Sequence, residues 1–114
     1  PLQALQLMND VQHFEAARAL AERVLSEGGS GTAERVAFLY RTVLGRKPDA
    51  EELKLVGDAL AKQRALFAAN PEGARKAVRV GESKPRGVAD DVEVAAWAMV
   101  ANLVLNLDET VTRN

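Results

Sequence analysis

Apolar side chains recur every three or four positions along most of this chain, the spacing that lines up one face of a helix. Val11, Phe14, Ala17, Ala21, Val24 and Leu25 form the first such stripe and predict a helix over 10–27. Asn9 stands three residues before Gln12, a capping-box pattern, and Gly28 and Gly29 end the segment. Glu15, Arg18 and Glu22 are read as its other, polar side. Val36, Leu39, Tyr40, Val43 and Leu44 predict a second helix over 32–44, capped by Ser30 or Thr32 and stopped at Gly45. Leu53, Val56, Leu60 and Phe67 predict a third over 49–69, opened by a capping box between Asp49 and Glu52. The short Gly-Arg-Lys-Pro connection should fold the second and third helices into a hairpin.

Gly57 interrupts the third stripe, either permitting a close helix crossing or sitting idle on the surface. Asn70-Pro71 reads as a stop and restart, because proline suits the first position of a helix. Short helices follow for 71–79 and, at the other end, for 2–8. Residues 81–89 lack periodicity and form a loop. Asp90 with Glu93 makes a third capping box and launches a helix over 90–107. Its apolar residues run almost all the way round, which places it at the centre, covered on several sides. The predicted fold is therefore all-α: a single domain over 1–114, a compact bundle of four main helices plus two short ones, without a sheet.

Composition narrows this further. Aromatics are only 4% of the chain, so Leu, Val and Ala must fill the core, which favours helix-on-helix packing. The formal net charge of −1 gives no general field for a polyanion, and nucleic acid is disfavoured as a partner. Absence of cysteine removes disulfides, thiolate chemistry, iron–sulfur clusters and thioether-linked haem. The most apolar stretch, from Val92 to Leu107, is broken by Glu93, Asn102 and Asn106 and falls short of the roughly 20 apolar residues a membrane span needs. The chain opens on Pro1 and reads as a piece of a longer protein.

The reactive constellations are thin. A nucleophile needs a base, and the only histidine, His13, lies early in a helix away from Ser26, Ser30 and Ser83 in the sequence. Asp90, Asp91 and Glu93 cluster at a helix start, where the dipole favours acids without a metal. A glycosidase carboxylate pair finds few aromatics to stack a sugar. No catalytic, metal or cofactor residue is assigned, and the expectation is a non-enzyme without a cofactor. Two features remain as candidate contacts. The first is the basic segment Arg75, Lys76, Arg79, Lys84 and Arg86, opposed only by Glu82, which could hold an anion or pair locally. The second is Asn102, Asn106 and Glu109, four and three residues apart on one face of the most apolar helix. Buried amides need partners, so this stripe should bind loop backbone, a neighbouring domain or a ligand. Trp97, on the same helix, reads as the largest core side chain, and its indole N–H should find an acceptor.

Several segments together resemble a known family. They are Pro1-Leu2-Gln3-Ala4-Leu5 with Asn9-Asp10, Glu15 through Arg23, Leu44-Gly45-Arg46-Lys47-Pro48 with Glu51-Glu52-Leu53, Val80-Gly81-Glu82-Ser83, Ala95-Ala96-Trp97, and Asn102 through Thr110. They are similar to the C-terminal helical domain, of unknown function, of planctomycete exported proteins that carry N-terminal cytochrome-c-like domains. Ala98 departs from that pattern where Thr is expected, as does Lys47 where a second Pro is common. The resemblance implies a location in the periplasm or at the cell surface. It implies other domains of the same parent protein as partners and supplies no catalytic residue. The stretch from Leu39-Tyr40-Arg41 to Pro48 also resembles a helical hairpin of some bacterial surface-protein modules. The functional expectation is a non-catalytic structural or interaction module, with binding of a sulfated glycan or nucleic acid through 75–86 as the alternative.

Overall fold

The structure, a computed structural model, describes residues 11–81 and 85–113, with side chains described over 14–81 and 85–107. Five helices follow in order: α1 (Val11–Glu27), α2 (Thr32–Leu44), α3 (Ala50–Ala69), α4 (Pro71–Val78) and α5 (Asp91–Arg113). No strand occurs among the described residues. Among the described residues these are four main helices and one short one, against the expected four main and two short. The segment 2–8 and the Asn9 cap lie outside the described residues.

Helix ends follow local chemistry. Asp49 caps α3 by accepting from the Glu52 N–H at 2.7 Å, while Glu52 reaches back to the Asp49 N–H at 3.0 Å. Asn70 caps α4 by accepting from the Gly73 N–H at 3.1 Å, with Pro71 in the first turn. Gly45 closes α2 at φ 73°, and its N–H donates to the carbonyls of Tyr40 and Arg41. The start of α2 departs from expectation. Its cap is Gly31, in extended backbone, rather than Ser30 or Thr32, and Glu34 Oε1 accepts from the Gly31 N–H at 3.2 Å. A backbone amide and an acidic third residue suffice there without a capping hydroxyl. The last helix runs to Arg113 rather than stopping near 107, since no Gly or Pro follows Leu107 to break it.

The predicted centrality of the last helix is what the packing shows: α5 touches all four other helices, α1 most extensively. Val94, Ala95, Ala96, Trp97, Ala98, Val100, Ala101 and Val104 are all buried along it. Alanines on several of its sides let neighbouring axes approach closely. They meet Ala17 and Ala21 of α1 and Ala74 and Ala77 of α4 in one core cluster. Phe14, Val24, Val36, Leu39, Tyr40, Val56 and Leu60 join it, each within the stripe read from the sequence, and Val78 of α4 completes it. Burying a side chain of Val or Leu size stabilises by about 1.5–3 kcal/mol, so these stripes are the main source of stability.

Gly57 belongs to the idle class. A Cβ built on it meets nothing within 4 Å apart from its own helix. Gly57→Ala is therefore expected to stabilise the domain by about 0.5–1 kcal/mol through helix propensity alone, measured as a shift in the urea midpoint.

Candidate functional site

One polar cluster contradicts the sequence reading. Arg18 and Glu22, assigned to the outer side of α1, are each only 2% exposed. At about 100° per residue, Arg18 lies roughly 40° from Phe14, at the edge of the apolar stripe rather than opposite it. What covers that edge is the connection between α4 and α5. Arg18 Nη1 donates to the Val78 carbonyl, at the end of α4, at 2.7 Å. Glu22 Oε2 accepts from the backbone N–H of Arg86 at 2.8 Å. One turn earlier, the Glu15 side chain fills the place a Cβ would need at Gly81, whose φ of 93° also favours glycine. The face carrying Glu15, Arg18 and Glu22 thus fastens a distant connection to α1. A cation at the last carbonyl of α4 also complements that helix's dipole.

The basic segment is largely spent on neighbours. Arg75 pairs with Glu72 on its own helix. Arg79 donates to the Arg75 carbonyl at 3.1 Å and to Asp91 at 3.2 Å, tying the end of α4 to the start of α5. The Glu72 carboxyl sits below the usual carboxylate range, chiefly through its hydrogen bond to Arg75. Lys76 is exposed, Arg86 is exposed although its backbone is held by Glu22, and Lys84 lies outside the described residues.

The acidic start of α5 is likewise divided. Asp90 accepts from the Glu93 N–H at 2.9 Å, the first half of the expected capping box. The second half is missing. Instead of returning to Asp90, Glu93 accepts two hydrogen bonds from Arg64 of α3, at 2.9 and 2.7 Å. The bidentate guanidinium is a charge-assisted partner and draws this carboxylate toward α3. Among the described residues no group of three or more His, Cys, Asp or Glu is placed to hold a metal ion. The side chain of His13 lies outside the described set.

At the α2–α3 turn, Arg46 grips Glu52 with two hydrogen bonds of 2.8 Å and lies over the Tyr40 ring, 5.5 Å from its centroid. Burial first, then the Glu52 charge, pushes the Tyr40 hydroxyl up. The hydrogen bond from Arg46, followed by that from the Asp49 N–H, lowers Glu52 from 4.5 to about 2. The folded state therefore binds this proton less readily than the unfolded chain. The stability it contributes is present above pH 4.5 and fades as pH falls toward 2. Wild type should be more stable than Glu52→Gln at pH 6, with the gap closing by about pH 2; urea midpoints at both ends of that window measure it.

The amide stripe opens a groove. Asn102 is 4% exposed, and its Oδ1 has no hydrogen-bond partner among the described residues. Buried amides are normally partnered, so the expected loop-backbone contact is not made by this oxygen. Asn102 and Asn106 of α5 face Ala59 and Gln63 of α3 across a hollow of about 180 Å³, with Met99 and Leu103 completing its walls. The side chain of Glu109, next on the stripe, lies outside the described set. Among the described residues, nothing charged lines this hollow. Two larger depressions, of about 610 and 460 Å³, are more open; they lie at the α1–α2 turn and between the starts of α4 and α5. In the second, Glu72, Asp91 and Glu93 are each already paired with an arginine. The sequence flagged Asn102 and Asn106 but missed Gln63, whose only signal is its place four residues after Ala59 on an otherwise ordinary helix.

Compared with known proteins, residues 1–60 match the model of PSD1, a protein family of unknown function (DUF1553). The chain belongs to that family. The match takes in α1, α2 and the first half of α3; the segments Val80–Ser83 and Ala95–Thr110 lie outside it. No curated protein and no solved structure matches the chain.

Proposed function

We propose that this member of the PSD1 family is a non-catalytic structural or interaction module of an exported multidomain protein. What supports the reading is how the ionisable side chains are used. Arg64 with Glu93, Arg46 with Glu52, Arg75 with Glu72 and Arg79 with Asp91 form closed pairs. Arg18 and Glu22 hold backbone, and Asp49 and Asp90 cap helices. A general acid or nucleophile must instead face a cleft with its lone pair or proton available. Two finer elements rest on the resemblance of the segments quoted above: a planctomycete parent protein bearing a cytochrome-c-like domain, and a periplasmic or cell-surface location. Its partners would then be the other domains of that parent. No helix among the described residues is long and apolar enough to cross a membrane.

The test is turnover. The 114-residue chain, assayed against a panel of polysaccharides and esters, should show none above background. Turnover abolished by a single substitution would overturn the reading. The second reading, binding of a sulfated glycan or nucleic acid by the segment 75–86, draws on the exposed side chains of Lys76 and Arg86. Titration with heparin or DNA at low salt distinguishes it, because phosphate or sulfate contacts weaken steeply as salt rises.

A further inference from the structure

We infer that the hollow between α3 and α5 is a recognition site for an uncharged peptide segment, taking one apolar side chain while Asn102 pairs with the adjoining peptide group. This rests on the interaction-module reading and names what that module would bind. The observation that carries it is Asn102, a residue lining the hollow whose buried Oδ1 lacks a partner among the described residues. A carboxamide offers an acceptor and donors side by side, the complement of a peptide N–H and C=O. Gln63 and Asn106 bring two further carboxamides to the rim. With no ionised group among the described residues of the lining, a charged ligand would lose its hydration without compensation there. The volume of about 180 Å³ holds about six waters' worth of matter, the scale of one aliphatic side chain.

The surroundings extend the site in the same sense. Leu103, on its wall, is 41% exposed, and Leu107 one turn later is 37% exposed. On α3, Leu55 and Leu66 are exposed by 62% and 55%, and they flank Ala59 and Gln63 on the same helical stripe. These are the four large exposed apolar side chains among the described residues, and they fall on the two helices that form the hollow.

The probe is N-acetyl-leucine N′-methylamide, an uncharged leucine with a peptide group on each side, titrated into the ¹⁵N-labelled chain and followed by NMR. Saturable shifts are expected at Ala59, Leu103 and the Asn102 side-chain amide. The glycine analogue, which lacks the apolar group, should bind at least tenfold more weakly, as should N-acetyl-leucine, which carries a charge. Asn102→Leu should abolish saturation while leaving the urea midpoint unchanged or higher, because it removes an unpartnered buried amide. Leu103→Ser, at an exposed position, should weaken binding severalfold with the fold intact. Equal shifts from leucine and glycine compounds, or none up to the solubility limit, would overturn the inference. So would shifts at these residues that depend on protein concentration without the probe, since a second copy would then occupy the groove. Turnover in the panel above would sink the non-catalytic reading while leaving this titration to stand on its own result.

Discussion

Trp97→Ala should lower the unfolding free energy by about 3–5 kcal/mol, the range for large buried aromatics. Trp97 is 0% exposed and sits on the helix that packs against all four others. Its removal leaves a cavity in the core cluster that its surroundings fill only in part. A domain of this size is stable by about 5–15 kcal/mol, so a fifth or more of that margin would go. Urea unfolding followed by far-UV circular dichroism measures it, because the variant loses the chain's only tryptophan. A loss below about 1 kcal/mol would mean that α5 is not central. Trp97→Phe sharpens the test. The indole N–H meets no acceptor among the described residues, contrary to the expectation from sequence, since the core around it is apolar. Phenylalanine removes that stranded donor and keeps most of the ring, so it should cost well under half of what alanine does.

Arg18→Met comes second, with an expected loss of about 2–3 kcal/mol. Methionine keeps much of the packing volume but strips the Val78 carbonyl of its charged donor and leaves Glu22 buried without the cation one turn away. Glu22→Leu should cost a comparable amount, through the orphaned N–H of Arg86. The double variant Arg18→Met/Glu22→Leu should lose clearly less than the sum, because both residues fasten the same connection to α1 and the second tie holds less once the first is cut. Strict additivity would show that the two residues act independently. Hydrogen exchange offers a local readout: amides around Val78–Gly81 should lose protection in Arg18→Met well before those of α2.

Helix position was legible because its causes are local. The stripes from Phe14 to Val24, from Val36 to Tyr40 and over Val56 and Leu60 are buried where the period placed them. Gly45, Asp49, Asn70 and Pro71 punctuate the chain as their backbone chemistry requires. Centrality of the last helix could also be read, since an element apolar on every side has no other stable place. The candidate groove was legible only in part. Asn102 and Asn106 announce themselves as amides in an apolar run, but Gln63 on α3 carries no such contrast until the two helices are set side by side.

By itself, the sequence determined which segments are helical, where most of them end and which faces go inward, because those outcomes depend on side chains within a few residues of one another. Tertiary structure decided the fate of the polar groups. Arg18 and Glu22 are buried because a connection more than fifty residues later crosses their side of α1. Glu93 leaves its own helix cap because Arg64 arrives from α3. Asn102 keeps an unmet oxygen because no group of the described residues reaches it across the α3–α5 groove. A polar side chain's state is set by the partner that packing delivers, and the distance along the chain to that partner is what local pattern does not encode.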